Sequence, residues 1–559
     1  MKKIVTILWC AGAFPVALGA QELKKDSTLN RTVTVENQYN PEVMDAFKIN
    51  VLPKVEEPAT AKRGIDYAVN PNPLTAWSGK PMKAVSEEER QKEAQRGYLR
   101  GAFGNRMNTD VKAAYLWDIS QRDCLDMMAS FYGMNGNVPV PESENGEEWK
   151  SRFFRTDVSL KYRHAFDKVA LSVGGAFSSQ VFGYMPIDDT FSFEYPGRQH
   201  NTAGEGYLGV GSVSEELPVR FSLQTGFRSF NRKYAVPYLK AGSENAVHTS
   251  GYIEGDLNEE QQVGVGLVMD NLWYGMDLND YTLLQLNPYY VWQGESARIR
   301  IGAHVDWQMG NGGGIKASPD MAVDYTFADS YVLYVQAGGG TRLNDFRRLN
   351  EYSSYWMQSL QLRSSYTMLD GQAGLKASPM AGLGFRLYGG YRITKDEVFV
   401  LPATAEEIGE GARLPVPYLY AGLSQAKAKV GYAGASLSYA YKDRFDFALS
   451  GTYYGWSLNE EQKPLLWLKP ELGIDFSMRA KVFSGFSVSA DYRYESRVKT
   501  GVQQQADAVN HLSLSANYEL FHRMNVFVGF HNLLNQEYLA ADAYPVQGFY
   551  AMGGLSFRF

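Results

Sequence analysis

The chain of 559 residues has few cysteines and no long apolar run beyond its start. Its two cysteines, Cys10 and Cys124, cannot form a disulfide framework that would hold a fold of this size. The 55 basic residues are outnumbered by 61 acidic ones, and this balance argues against nucleic acid as a partner. After residue 20, no segment reaches the length of about 18 apolar residues that a membrane helix needs. These absences argue against a disulfide-held fold, a nucleic-acid-binding protein and a helical membrane protein.

The first 20 residues have the layout of a secretory signal peptide. Lys2 and Lys3 form a positive start, an apolar stretch follows, and ALGA provides small residues for cleavage before Gln21. Removing Lys2 and Lys3 from the 55 basic residues leaves 53 against 61 acidic ones, and Cys124 becomes the sole cysteine. We therefore expect an exported protein with residues 1–20 as its signal peptide.

Residues 21–96 differ in composition from everything that follows. They carry six prolines between positions 41 and 81, show little periodicity and end in the charged stretch SEEERQKEAQR. Such a composition is typical of extended or partly disordered chain. We expect a Pro-rich periplasmic segment here, with no recognisable folded domain.

From Gly97 onwards the sequence alternates with a period of two. In RIRIGAHVDWQ (298–308) and FSVSADYRYE (486–495), every second residue is apolar and the intervening ones are polar or charged. This alternation indicates strands whose two faces meet different surroundings. The 37 tyrosines, 29 phenylalanines and 54 glycines favour a membrane barrel, whose outer face carries aromatic residues and whose lumen is polar.

The connections between these strands alternate in length, which is the arrangement of an outer-membrane barrel. Tight turns are predicted at AFDKVA, SVSEELP, YKDRFD and FHRMN. Long connections are predicted at 135–150, 185–197, 343–360, 398–425, 457–467, 498–508 and 538–547. The prediction is an all-β fold in which residues 97–559 form a transmembrane antiparallel β-barrel of about 22 strands.

The chain ends on an alternating strand, GLSFRF, rather than on a polar tail. A closed barrel explains this ending, because the last strand must pair with the first where no edge can face lipid. The ending also resembles the terminal signal of outer-membrane proteins. That resemblance implies that the barrel-assembly machinery reads Gly554, Phe557 and Phe559. The alternative is a packed edge strand in a β-sandwich.

The last 35 residues resemble the C-terminal end of TonB-dependent outer-membrane receptors. The family pattern of a turn, a Tyr-Pro stretch and a Gly- and Phe-containing end is matched by Asn532, Leu533, Asn535, Tyr538, Tyr544, Pro545, Gly548, Gly554, Leu555, Phe557 and Phe559. The resemblance implies a 22-stranded barrel that crosses the outer membrane of a Gram-negative cell several times. It also implies nutrient uptake, with outer-membrane lipid around the barrel.

One departure from the family concerns the lumen. Family members carry a folded plug of more than 100 residues before the barrel, whereas only about 75 residues stand between Ala20 and the first strand here. The lumen must then be closed by inward-folded loops, by residues 21–95 or by another protein. The segment Thr32, Val33, Thr34, Val35 and Glu36 loosely resembles the family's TonB box, which implies TonB or another outer-membrane or periplasmic protein as partner. An ordinary extended segment is the alternative.

The sequence does not predict an enzyme, a cofactor or a metal site. His304 and Asp306 are two apart on one predicted strand, where a solvated, hydrogen-bonded pair in the lumen is favoured over an acid–base pair. Cys124 is expected in the barrel wall rather than as a reactive thiol.

Two functions remain open. The first is a receptor-like barrel in nutrient uptake, whose binding surface would be the loops around 343–360 and 398–425, with aromatics in EYSSYW and WSLNEEQ. The second is a plugless structural or assembly subunit of an outer-membrane complex.

Overall fold

The computed structural model describes residues 96–140, 148–187, 196–213, 217–236, 240–328, 330–357, 361–408, 412–442, 444–501 and 506–559. The predicted signal peptide, nearly all of the Pro-rich segment and the TonB-box-like segment Thr32–Glu36 lie outside these residues. They stay predictions.

Twenty-three strands are described; 22 of them form the antiparallel barrel wall, and the two-residue β14 lies inside it. The strands are β1 (Gly97–Gly104), β2 (Thr109–Asp118), β3 (Asp123–Pro139), β4 (Glu148–Ala165), β5 (Val169–Gly183), β6 (Arg198–Ser212), β7 (Val219–Arg232), β8 (Gly242–Asn258), β9 (Gln261–Tyr274), β10 (Tyr281–Gln293), β11 (Ala297–Met309), β12 (Gly314–Phe327), β13 (Tyr331–Arg342), β14 (Trp356–Met357), β15 (Ser365–Met380), β16 (Leu383–Ile408), β17 (Ala412–Tyr441), β18 (Phe445–Ser457), β19 (Pro470–Phe483), β20 (Phe486–Arg497), β21 (Val509–Phe521), β22 (Met524–His531) and β23 (Tyr550–Arg558).

The ring closes where the last strand pairs with the first. β1 and β23 are antiparallel in a register that runs from Tyr98 opposite Arg558 to Gly104 opposite Met552. Beyond this register, Gly97 N donates to Phe559 O at 2.7 Å, and Phe559 N donates to Gly97 O at 3.0 Å. The prediction that the terminal strand closes a barrel is confirmed, and the sandwich alternative is wrong.

The two faces of the wall differ as the alternation predicts. Large apolar side chains such as Phe177, Ile301 and Leu555 are about half exposed on the outer face, whereas Asp306 and Gln308 are buried on the inner face. An apolar outer face around a polar interior fits hydrocarbon outside and water inside. The barrel is therefore a multi-pass protein of the Gram-negative outer membrane.

The connections fall into two rims. The turn rim holds the short connections, including all four predicted tight turns, and the loop rim holds the long ones. Residues 398–425 are an exception to the prediction, because β16 and β17 are 26 and 30 residues long and leave only 409–411 between them. Prolines such as Pro402 favoured a loop in the sequence. However, the pairing of β16 with β15 ends at Lys395, and edge strands tolerate proline.

The wall is uneven in height around the seam. The strands at the closure, β1, β2, β22 and β23, have 8, 10, 8 and 9 residues, whereas the neighbouring β3 and β4 have 17 and 18. A tilted membrane strand needs about 9–11 residues to cross the hydrocarbon. The seam strands therefore end close to the membrane, whereas β3 and β4 rise well above it.

Helices are short in this structure. α1 (Phe346–Tyr352) begins after Asp345, whose carboxylate accepts a hydrogen bond from Arg348 N at 3.0 Å. Two 3₁₀ helices, η1 (Asn105–Met107) and η2 (Glu460–Leu466), lie in loop-rim connections. Among the described residues, no helix has the length and apolar character needed to cross a membrane.

Candidate functional site

The mouth of the barrel at the loop rim is crossed by the chain itself. We call this structure the mouth cap, and it consists of residues 343–357, 361–364, 398–403, 418–425 and 538–547. β17 lies eleven strands from β5 in either direction around the ring of 22. Its upper part nevertheless reaches the end of β5, where Leu419 N donates to Met185 O at 2.8 Å and Pro186 forms a bridge with Tyr418. The cap therefore joins opposite walls directly.

Residues 343–357 and 361–364 fold inward beneath this crossing. β14 pairs in parallel with β17, with Trp356 opposite Ala421 and Met357 opposite Gly422. Trp356 is completely buried and Tyr355 is 7% exposed. The prediction that the aromatic residues of EYSSYW form part of an open binding surface is therefore wrong for these two side chains, because both lie in the core of the cap.

An aromatic cluster holds together three parts of the cap: the inward-folded segment with Tyr355, the loop with Tyr544 before β23, and the crossing strand β17. The rings of Tyr355 and Tyr544 are stacked 3.5 Å apart at 11°, and Trp149 meets Tyr544 edge-on at 5.5 Å. The Tyr544 hydroxyl donates to Leu419 O and accepts from Met185 N at 3.4 Å. Tyr544 thus links the loop before β23, the crossing strand β17 and the end of β5.

A buried arginine fixes residues 343–357 to the wall. Arg232, the last residue of β7, is 2% exposed, and its guanidinium lies 3.7 Å from the ring of Trp356. Its Nη1 donates to Trp356 O at 2.8 Å and its Nη2 donates to Ser354 O at 3.3 Å. A planar guanidinium can donate to carbonyls and stack on an indole at the same time, which a lysine cannot reproduce.

The helix α1 is bound to the wall through polar contacts. Glu244 accepts from Phe346 N at 2.7 Å, Arg347 pairs with Glu205 at 2.8 Å, and Asn350 donates to Gln180 at 2.8 Å. These contacts attach successive turns of α1 to β8, β6 and β5. The segment is therefore ordered by directional bonds as well as by burial.

Burial raises the pKa of two acidic side chains of the cap, both of which lie outside the wall strands. Burial raises the pKa of Asp542 to about 6, although Tyr544 N donates to its carboxylate at 3.1 Å and opposes the shift. Burial likewise raises the pKa of Asp345, opposed by the bond from Arg348 N. Both groups favour the protonated form more than a solvated carboxyl does.

The outer face of the β16–β17 hairpin is also packed. Phe399, Ala426 and Ala428 form a second apolar cluster with Leu466 of η2, and Trp456 packs against it. Trp456 Nε1 donates to Pro470 O at 2.9 Å. The aromatic residue of WSLNEEQ is thus used in packing too, and the hairpin is supported on both faces.

The inner wall below the cap carries paired charges of both signs, as the alternation predicts. Asp306 faces the interior with His304 on the same strand, and it accepts from Gln285 Nε2 at 3.1 Å. Arg300 pairs with Asp320 at 2.7 Å, and Arg493 pairs with Asp475 at 2.8 Å. In the part of the chain that the structure describes, no three His, Cys, Asp or Glu side chains are grouped so as to hold a metal ion.

The predicted assembly-signal residues lie at the seam. Phe557 and Phe559 point outward, 42% and 46% exposed, with their rings 5.6 Å apart. Gly554 points inward, where a Cβ would come within 2.7 Å of the Phe527 ring. The structure explains the glycine by close packing, and recognition by the assembly machinery stays a prediction. Cys124 is the second residue of β3 and lies in the wall.

Comparisons with solved structures identify the fold. The copper transporter OprC matches with a TM-score of 0.61 and 12% identity over 83% of this chain and 80% of its own. A variant of the ferric enterobactin receptor PfeA from Pseudomonas aeruginosa, in complex with enterobactin, matches with a TM-score of 0.64 and 11% identity over 83% and 81%. P. aeruginosa FpvA bound to a pyoverdine–iron complex matches at 0.60 and 11% over 83% and 72%. A scan against protein-family models and a search of curated proteins gave no match.

The barrel has the fold of TonB-dependent outer-membrane receptors, which confirms the resemblance seen in the last 35 residues at the level of the fold. Identities of 11–12% carry no information on substrate. Closure by inward-folded loops was one of the three alternatives that the sequence left open, but the residues that form the mouth cap were not predicted. The signal that could have indicated it is the concentration of aromatic residues in 343–360 and 538–547, which suits burial as well as binding.

Proposed function

We propose that this protein is a receptor-like outer-membrane barrel that takes part in the uptake of a nutrient across the outer membrane. The observation that carries the proposal is the mouth cap, in which the chain's own segments close the outer end of a wide barrel through reversible contacts. The solved structures with the same fold are named as a copper transporter and as a receptor for ferric enterobactin, which supports this class of function.

Uptake requires the cap to rearrange. The contacts across the mouth are hydrogen bonds and ring packing, such as Leu419 with Met185 and Tyr544 with Tyr355. Each can break and re-form without a covalent change. Below the cap, paired side chains such as Arg300 and Asp320 offer hydrogen-bonding groups of both signs to a polar solute. Under this proposal, the cap admits the solute from outside, and TonB acts through residues Thr32–Glu36 on the periplasmic side.

The alternative is a structural or assembly subunit of an outer-membrane complex. One observation favours it: the cap has a core that is as well buried as a protein interior, with Val398, Tyr420 and Trp356 completely inaccessible. A cap of this kind suits a barrel that remains closed. In this alternative, residues 21–95 would bind a periplasmic partner.

A reversible crosslink separates the two functions. Pro186 and Tyr418 face each other across the bridge between the end of β5 and β17, so cysteines at both positions are close enough for a disulfide. The variant Pro186→Cys/Tyr418→Cys is made in a Cys124→Ser background, and each single cysteine variant serves as control. Strains are grown in competition with wild type in defined media, each limiting in one nutrient.

We expect the gene deletion and the oxidised double variant to share a growth defect in one medium, and we expect a reductant to relieve it only in the double variant. Deleting Thr32–Glu36 is expected to reproduce this defect if TonB supplies the energy. If the oxidised double variant grows as wild type in every medium while the deletion impairs an outer-membrane complex, the uptake proposal is wrong and the subunit alternative is supported.

A further inference from the structure

The outer face of the barrel carries a polar cavity of about 570 Å³ beside the loop rim. Its lining includes His200 and Thr202 of β6, Asn231 and Arg232 at the end of β7, Lys233 just beyond it and Ser243 of β8. In the strand registers, Thr202 lies opposite Asn231, and Asn231 lies opposite Ser243, so the three side chains share one face. That face is the outer one, because Arg232 between Asn231 and Lys233 points inward to Trp356.

The cavity lies directly above the apolar part of this wall. On β7, the outward residues run from Val219 to Phe227, both about half exposed, and then change to Ser229 and Asn231. Four strand residues, from Phe227 to Asn231, advance about 13 Å. With a strand tilt near 40°, this places the cavity roughly 10 Å above the last apolar ring. That is the level of the lipid head groups of the outer leaflet.

Two cations beside the cavity have no anionic partner among the described residues. Lys233 Nζ and Arg198 Cζ lie 5.4 and 5.5 Å from the ring centre of Tyr234, and neither forms an ion pair with a described carboxylate. Other cations in this part of the wall have partners: inward Arg228 lies near Glu205, Lys240 of the rim is 2.8 Å from Asp277, and buried Arg232 donates to two carbonyls of the cap. Among these cations, Lys233 and Arg198 are therefore the two that face the lipid head groups without a described carboxylate partner.

We propose that this cavity binds the phosphorylated head group of an outer-leaflet glycolipid. Lys233 and Arg198 supply the positive charge that a phosphate requires. Thr202, Asn231 and Ser243 supply hydroxyl and amide groups that bond phosphate oxygens and sugar hydroxyls. The Tyr234 ring contacts both cations beside the cavity through cation–π interactions. The proposal concerns the outer surface and does not depend on transport through the lumen.

The test measures binding of three probes to the purified full chain in detergent micelles: lipid A with its phosphates, the same lipid A after enzymatic dephosphorylation, and inorganic phosphate. The test variant is Arg198→Gln/Lys233→Gln. The matched control is Lys240→Gln, which removes a cation of the same rim that is already paired with Asp277. Circular dichroism on heating verifies that all variants retain the barrel.

We expect wild type and Lys240→Gln to bind phosphorylated lipid A at least tenfold more tightly than the dephosphorylated form, and we expect the double variant to lose this difference. Equal binding of both lipids by wild type, or unchanged binding by the double variant, would overturn the proposal. If inorganic phosphate binds as tightly as lipid A, the site recognises a free anion and the lipid assignment is wrong.

Discussion

Replacing Arg232 with methionine tests whether the cap depends on its buried guanidinium. The substitution keeps an unbranched side chain of similar length and removes the donors to Trp356 O and Ser354 O. The buried Trp356 carbonyl would lose its partner, at about 1–3 kcal/mol, the partly buried Ser354 carbonyl would lose about 1 kcal/mol, and the contact with the Trp356 ring contributes about 2 kcal/mol more. The substitution also removes the cost of burying the guanidinium charge, which is several kcal/mol and offsets part of this loss. The free energy of opening the cap is therefore expected to fall by about 2–3 kcal/mol.

This loss concerns the local opening of the cap rather than the whole barrel. A change of about 2–3 kcal/mol corresponds to a roughly 30- to 150-fold increase in the population of the open cap. Amide hydrogen exchange of residues 343–357 reports this opening directly, because those amides exchange when the segment leaves the wall. We expect their exchange in Arg232→Met to accelerate by this factor while the amides of β10–β12 keep the wild-type rate.

Arg220→Met is the matched control. Arg220 lies on the same strand and also faces inward, but its guanidinium pairs with Glu254 and Asp256 near the turn rim. Its loss is expected to leave exchange in 343–357 unchanged. If Arg232→Met has wild-type exchange in this segment, or if Arg220→Met accelerates it equally, then the guanidinium does not hold the cap and the reasoning fails.

Three further predictions concern the seam and the cap. Gly554→Leu is expected to abolish the heat-modifiable barrel band on gels because its side chain meets the Phe527 ring, whereas Gly553→Ala, whose Cβ finds its nearest neighbour at 3.7 Å, is expected to assemble as wild type. Deleting Phe559 removes the two hydrogen bonds with Gly97 and is expected to slow assembly of the same band in a pulse–chase experiment. Because the folded pKa of Asp542, about 6, exceeds the unfolded value of about 3.9, its stabilising effect is present below the unfolded pKa and is lost as pH rises through 6. Intrinsic-rate-corrected exchange of 538–547 should therefore be up to about tenfold faster at pH 7 than at pH 5, and Asp542→Asn should remove this difference.

The barrel could be predicted because every strand carries the same two-residue alternation in its own sequence. Every strand meets lipid on one face and water on the other, so sequences such as RIRIGAHVDWQ carry the pattern locally. The rims follow from turn lengths, and the closure follows from the alternation that continues to Phe559. None of these inferences requires knowledge of which distant residues meet.

The contacts of the mouth cap could not be predicted, although closure by inward-folded loops was one alternative, because these contacts join residues that are far apart in sequence. Arg232 and Trp356 are separated by 124 residues, and Leu419 and Tyr544 by 125. An aromatic residue in a polar stretch is compatible with exposure to a ligand and with burial under another loop. The last two aromatic residues of EYSSYW are buried because β17, from the opposite wall, packs over them. Pro402, on the paired strand β16, favoured a loop in the sequence, so the hairpin that makes this crossing was not predicted.

The low wall at the seam has a consequence for the surrounding bilayer. Strands of 8–10 residues at β22, β23, β1 and β2 barely match the hydrocarbon thickness, whereas β3 and β4 exceed it. The short apolar span at the seam is a hydrophobic mismatch, which is relieved when lipid thins locally or the whole body leans toward its shorter side. Lipid packing should therefore be most perturbed along the flank where the N- and C-terminal strands meet, and a neighbouring membrane protein of short span would find its best-matched environment there.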